Sequence, residues 1–209
     1  MSFAFGLAVF GTALAVGLRA YISAAVSEEQ TIRTRIALES AAAAVLGEMA
    51  GGRSSTATVQ RMIGSRSITV ELSRPGAKFD FVGDGEPVLI AALTRQGFAG
   101  VRETSWRGAQ TLTEMSSRLR LDAAGEDCLR RRFTYGRAPA PIEGGAPPAT
   151  LQAGVGEQVD IRSSVTGARG DDVLWLRARF TGGETGWKVH DYRRLRGRAT
   201  CERSTVRPS

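Results

Sequence analysis

The sequence predicts an α+β protein: a long N-terminal helix, transmembrane in its first part and a stalk in its second, followed by an antiparallel sheet with short helices. Three observations predict it. Residues Met1 to Leu18 carry no charge, and from Arg19 to Ala50 there is no proline and no glycine before Gly47. Beyond Gly51-Gly52, short runs alternate apolar and polar residues. Gly- and Pro-containing turns such as Pro75-Gly76 and Gly182-Gly183 separate these runs.

The uncharged start is at the short end of what crosses a bilayer as a helix, roughly 17–25 residues. A cleaved secretory signal would have a basic start and a shorter apolar stretch. Helical composition continues past Arg19 through Ala24, Ala25, Glu28, Glu29, Ala37, Leu38, Glu39 and Ala41 to Ala44. Ile22 and Val26 lie four apart, as do Ile32 and Ile36, which places them on an apolar stripe. Gly51-Gly52 supplies the stop. One continuous helix of about 47 residues would be roughly 70 Å long. By itself such a helix fits a pilin stalk or a generic single-span anchor with a helical stem. The expected organisation is a transmembrane segment over 1–18, a stalk helix over 19–52, an extracytoplasmic α+β head over 53–200 and a C-terminal tail over 201–209.

In the head, Arg66 to Ser73 alternates Ile68, Val70 and Leu72 against polar neighbours, a strand with one buried face. Lys78 to Val82 reads as a second short extended segment, ended by Gly83-Asp84-Gly85. Glu86 to Gln96 places Val88, Leu89, Ala92 and Leu93 at helical spacing, with Pro87 tolerated in the first turn. Phe98 to Asp127 leaves room for about two helices, and Arg131–Tyr135 reads as a strand. Ala138 to Pro148 is a flexible Pro/Gly-rich connector. Glu157–Val165, Val173–Phe180 and Trp187–Leu195 read as three consecutive strands joined by glycine turns.

Chemistry-bearing patterns are sparse, and no catalytic or metal site is expected. His190 is the only histidine and sits in a strand-like alternation, so a surface or interface role is preferred over a triad. The stretch GVGEQVD precedes a strand rather than a helix, which fails the context of a phosphate loop. Asp80, Asp84 and Glu86 read as a solvated acidic turn rather than a calcium loop. The formal net charge is +7, and nearly all the positive charge is arginine, Lys78 and Lys188 being the only lysines. Arg130, Arg131, Arg132, Arg193, Arg194 and Arg196 would form one basic patch if they lie on adjacent strands. Phe133, Tyr135, Trp187 and Tyr192 interleave with them, a pattern found in single-stranded nucleic-acid binders. The preferred reading is outward-facing arginines on a sheet. Cys128 and Cys201 match no zinc or redox spacing. Outside the cytoplasm they could form a disulfide, the other reading being two separate thiols.

The run ITVELSRPGAKFDFVGDGEPVLIAALTRQG resembles the type II secretion system protein K family, the largest of the minor pseudopilins, in a degenerate and shortened form. Gly76, Lys78, Phe79, Asp80 and Phe81 match the motif that follows that family's strand, and the Val88–Leu93 helix and Gly97 come after it in the same order. Arg74-Pro75 stands where the family has an acidic pair, and Val82 where it has Asn. The Ala-rich Arg33–Ala50 segment resembles the family's stalk, and the three C-terminal strands resemble its closing meander. The family's calcium sites lie in an insertion that is shortened here, so no cofactor or metal is carried over. No basic leader precedes the apolar segment, and position 5 is Phe5 rather than the Glu of most pilins, as in the K family.

The resemblance implies a pilin-like fold and a non-enzymatic assembly subunit in the bacterial inner membrane, single-pass, with its head in the periplasm. It would prime or cap a pseudopilus tip by binding other minor pseudopilins, with inner-membrane lipid around its first segment. Ile22, Val26, Ile32, Ile36, Ala41 and Ala44 would be the packing surface. The alternative is a DNA-binding minor pilin of an uptake pilus, in which the arginines do the work and nucleic acid is the partner. A third reading is a membrane-anchored periplasmic domain outside any filament.

Overall fold

The computed structural model describes residues 2–53, 55–75, 78–98, 106, 108–135, 150–151, 154–167, 170–183 and 186–197, with the side chains of 2–17 and 150 outside that description. It is an α+β structure with a long N-terminal helix and an antiparallel sheet. The chain divides into two units between Ala37 and Leu38.

Helix α1 runs over Ser2–Ala50. It ends where the sequence predicts: Gly52 takes a φ of 77°, a left-handed conformation that glycine adopts without steric cost, and the Arg53 N–H donates back to Glu48 O at 3.0 Å. Among the described residues no helix is long and apolar enough to cross a membrane.

In the second unit, β1 (Ser55–Thr56) leads into the hairpin of β2 (Thr58–Ile63) and β3 (Arg66–Ser73). Strand β4 (Phe79–Asp80) is shorter than the extended segment predicted over Lys78–Val82, because the chain turns at Phe81. Helix α2 (Glu86–Arg95) begins with Pro87 in its first turn, as the sequence predicts. Helix α3 (Leu112–Arg118) is capped by Thr111, whose side chain accepts from the Glu114 N–H. Helix α4 (Ala123–Arg132) is capped by Asp122, which accepts from the Gly125 N–H at 2.7 Å. Strands β5 (Phe133–Thr134), β6 (Thr150–Leu151), β7 (Gln158–Gly167), β8 (Gly170–Phe180) and β9 (Trp187–Gly197) follow among the described residues.

The predicted strand Arg131–Tyr135 is a correction. Arg130, Arg131 and Arg132 form the last turn of α4, where cations are favoured by the carbonyl end of the helix dipole. Only Phe133–Thr134 is extended, pairing in parallel with β4.

The main sheet has five antiparallel strands in the order β2-β3-β7-β8-β9. Alternation along each strand separates two faces. The register puts Val70 opposite Ser163, Ser163 opposite Leu174 and Leu174 opposite Arg194. One face therefore carries Ile68, Val70, Leu72, Val159, Ile161, Leu174, Leu176 and Ala178, all buried. Leu38, Ala41, Ala42, Val45, Leu46 and Met49 recur at helical spacing on α1 and are likewise buried. Polar ties hold this part of the helix to both sheet edges: Trp187 Nε1 donates to Leu46 O at 2.8 Å, Tyr192 donates to Glu39, and Arg61 pairs with Glu48.

A second apolar cluster lies among α2, α3, α4 and the β4–β5 pair. Leu89, Leu93, Phe98, Met115, Leu129 and Phe133 are its most deeply buried large side chains. Helix α4 also rests on β9 and β8, where Ala123 packs on Val173, Trp175 and Leu195.

Candidate functional site

The predicted packing residues fall into two groups. On α1, Ile22, Val26, Ile32 and Ile36 are 52 %, 46 %, 51 % and 54 % exposed. Ala41 belongs instead to the buried side of α1 and is fully covered, while Ala44 is exposed. The expectation that the Ala41–Ala44 run is an outer packing surface is thus corrected at Ala41. Leu38, Ala41 and Val45 lie three, four and seven apart, Leu46 lies eight from Leu38, and the face they share closes the domain's own core.

The six arginines of the predicted basic patch do not form one patch. Arg130 is buried in α4: its Nε donates to Glu126 at 3.0 Å, Nη1 to Asp191 at 2.7 Å and Nη2 to Thr113 at 2.7 Å. Arg131 is half-buried between Asp127 and Glu71, and Arg132 is exposed. On β9, Arg193 points to the α4 side and pairs with Glu126. Arg194 and Arg196 point to the opposite face and approach Asp172 at 3.3 and 4.0 Å. Consecutive strand residues alternate sides, so Arg193 and Arg194 cannot serve one patch. Acidic partners also neutralise most of this positive charge locally.

Between α4 and the sheet lies a layer of buried charge that the sequence reading did not find. Asp160 accepts from Lys78 Nζ at 2.6 Å and from Arg177 Nε at 2.6 Å. Lys78 also donates to Arg130 O at 2.8 Å and sits over the Trp175 ring, while Arg177 Nη2 donates to Thr134. Beside them, Asp127 accepts from Arg162 Nε at 2.8 Å and Trp175 Nε1 at 2.6 Å. Burial alone would push the Asp160 carboxyl up, but Lys78 and Arg177 outweigh it and hold the group below the usual carboxylate range. Burial lowers the Lys78 ammonium, aided by the neighbouring Arg177 and Arg130 cations and opposed by Asp160. For Arg177, burial is overcome by its bonds to Asp160, which hold the guanidinium charged.

The charges of this layer pair with one another between α4 and the sheet. The space lined by Leu112, Arg130, Asp160, Trp175, Leu176, Arg177 and Asp191 is only about 10 Å³, roughly one water in size. Each of Asp160, Asp127 and Glu126 is engaged by at least two donors.

The other predicted features are placed as follows. His190 is exposed on β9, at the irregularity where Asp191 pairs with Arg177 and Val189 with Ala178. In the acidic turn, Asp84 accepts from the Asp80 N–H and Asp80 from the Val82 N–H, so these carboxylates cap their own backbone. Cys128 is buried and disulfide-bonded. Cys201, the other cysteine of the chain, lies outside the described residues, as does the predicted connector over Ala138 to Pro148. No family model, no curated protein and no solved structure matches the chain.

Proposed function

We propose that the chain is a pilin-like assembly subunit, akin to a minor pseudopilin, acting in a type II secretion or related pilus-type machine. Its first segment would sit in the bacterial inner membrane and its head in the periplasm. Its work is binding: α1 packs against the helices of other pseudopilins to prime or cap a short filament.

The observation that carries this reading is the exposure of Ile22, Val26, Ile32 and Ile36. Four large aliphatic side chains on one helix, each about half in water, are the pattern of a surface awaiting a partner. The α+β architecture, with a helix laid on an antiparallel sheet, agrees with the resemblance to the K family. A disulfide at Cys128 suits an oxidising compartment. The uptake-pilus alternative draws less support, because its arginines lie on different faces and are largely paired with acids.

The test is co-purification from cells that make the neighbouring pilin-like subunits. Ile32→Lys or Ile36→Lys should lose those partners while the unfolding transition of the head stays where it is. Partners retained by both variants, with nucleic-acid binding lost on changing Arg130, Arg131 and Arg132, would replace this reading with DNA uptake.

A further inference from the structure

The exposed face of α1 has finer structure than an apolar stripe. Leu18, Ile22, Ala25, Glu29, Ile32 and Ile36 follow one another at spacings of four, three, four, three and four. At about 100° per residue all six lie within roughly 40° of a single line along the helix. That is the core seam of a left-handed helix pair, in which positions a and d face the partner. All six are exposed. Five are apolar, and the fourth is an acid in the middle.

Glu29 makes the seam selective. Its carboxylate is paired within the helix to Arg33 at 2.6 Å, and both side chains remain well exposed. A second copy of this helix in parallel register would put Glu29 against Glu29, two like charges in a closing apolar interface. An antiparallel copy with Ile22 opposite Ile36 would do the same, since position 29 lies midway between them. Like charges at such a site oppose association, and a single polar core position commonly sets register and partner. A helix with matching apolar positions and a Lys or Arg at the level of Glu29 meets the opposite situation: the charge pair forms as the flanking side chains exclude water.

We infer that α1 docks a partner helix that is not a second copy of this chain, through a heptad seam in which a basic residue of the partner faces Glu29. This rests on the assembly reading above and adds the chemistry of the partner. Leu18 and Ile22 close one end of the seam and Ile32 and Ile36 the other. Glu29 then sets the register between them and rejects self-pairing.

The chain itself supplies the probe. Tagged wild-type chain in detergent is mixed with an untagged copy that is either wild type or Glu29→Lys, and the captured untagged chain is measured. Glu29→Lys should be captured by wild type about tenfold more than wild type is, a difference of the size one well-placed charge pair gives. Tagged Glu29→Lys should fail to capture Glu29→Lys, because the like-charge conflict is restored with the opposite sign. Position 29 is exposed, so Glu29→Lys should show the wild-type unfolding transition. Equal capture in all three pairings, or none in any, overturns the inference. If that happens while Ile32→Lys still loses the cellular partners, the assembly reading stands without this seam. If Ile32→Lys and Ile36→Lys also keep the partners, the assembly reading falls as well.

Discussion

On one face of the five-stranded sheet, Ile68, Val70, Ile161, Leu174 and Leu176 are buried together with the Leu38–Met49 side of α1. On the other, Asp160, Arg162, Asp191 and Arg193 meet Lys78, Asp127, Arg130 and Glu126 from the segment before β4 and from α4. The strands are the same, and adjacent residues serve the two faces. The apolar face gains stability in proportion to area removed from water, and its directional ties to α1 lie at the sheet edges. The charged face gains little net stability, because each ion must first be dehydrated. What it imposes is geometry: Arg162 and Trp175 both reach Asp127, and Arg130 and Arg193 share Glu126, which is compatible with one placement of α4. We read the apolar face as what holds the domain together and the charged face as what orients the α2–α4 cluster on it.

The largest expected effect comes from breaking the charged face at its centre. Asp160→Ala leaves Lys78 and Arg177 buried without their carboxylate and should cost about 3–5 kcal/mol in denaturant unfolding. Replacing all three by apolar residues of similar size, Asp160→Leu with Lys78→Met and Arg177→Met, should recover most of that loss. A triple variant as unstable as the single one would mean that the ion cluster is itself a net stabiliser. Acid tests the same site. Because the folded Asp160 carboxyl lies below its ordinary value, its contribution is complete above about pH 4 and is lost as pH falls through the lower folded value. Lys78 acts in the same direction in an alkaline range: the unfolded chain binds that proton more tightly, so stability rises as pH climbs toward the ordinary lysine value of 10.5. Wild-type protein should therefore lose stability below pH 4, and the triple variant should lose less.

Leu174→Ala probes the opposite face. Leu174 is almost fully buried, and its truncation should cost about 3 kcal/mol through lost burial and a residual cavity. Its acid profile should parallel that of the wild type, because no ionisable group on the charged face is touched. A changed acid dependence in this variant would show that the two faces are coupled and that the distinction between them is too sharp.

The apolar face was legible in the sequence and the charged face was not. Ile68, Val70 and Leu72 alternate with polar neighbours, and that period of two marks β3 from Arg66 to Ser73 as the structure has it. The same rule misreads Asp160 and Arg162 in β7. Alternation says that a strand has two different faces, and polar residues on one of them are taken to meet water. What covers that face is α4, a helix whose apolar content is low and whose last turn is three arginines, so its outline resembled a strand start. The hairpin strand β2, with Arg61 between Val59 and Ile63, offered too weak an alternation to be noticed. On α1, Ile32 and Ile36 are as apolar as Leu38 and Val45 and stand on the same uninterrupted helix. Only the fold separates the exposed pair from the buried one, and it places Ala41 with the buried one.

The smallest effect gives the sharpest check on the apolar face. Ser163 lies on it, opposite Val70 in β3 and Leu174 in β8, and is completely buried. Its Oγ makes no hydrogen bond among the described residues. An unsatisfied buried hydroxyl opposes folding, because water that solvated it in the unfolded chain is not replaced. Ser163→Ala removes that group with almost no change in volume and should be neutral or stabilising by up to about 1 kcal/mol. Arg162 and Ser164, its neighbours along β7, bond each other on the charged face at 2.9 Å and should be unaffected. Measured by denaturant midpoint at constant slope, a gain would show that burial on this face is worth most when it is wholly apolar. A loss of more than about 1 kcal/mol would mean that the hydroxyl has a partner such as a buried water. The centre of the face that packs on α1 would then depend on a polar contact, as its edges do, and the division of labour between the two sides of the sheet would not hold.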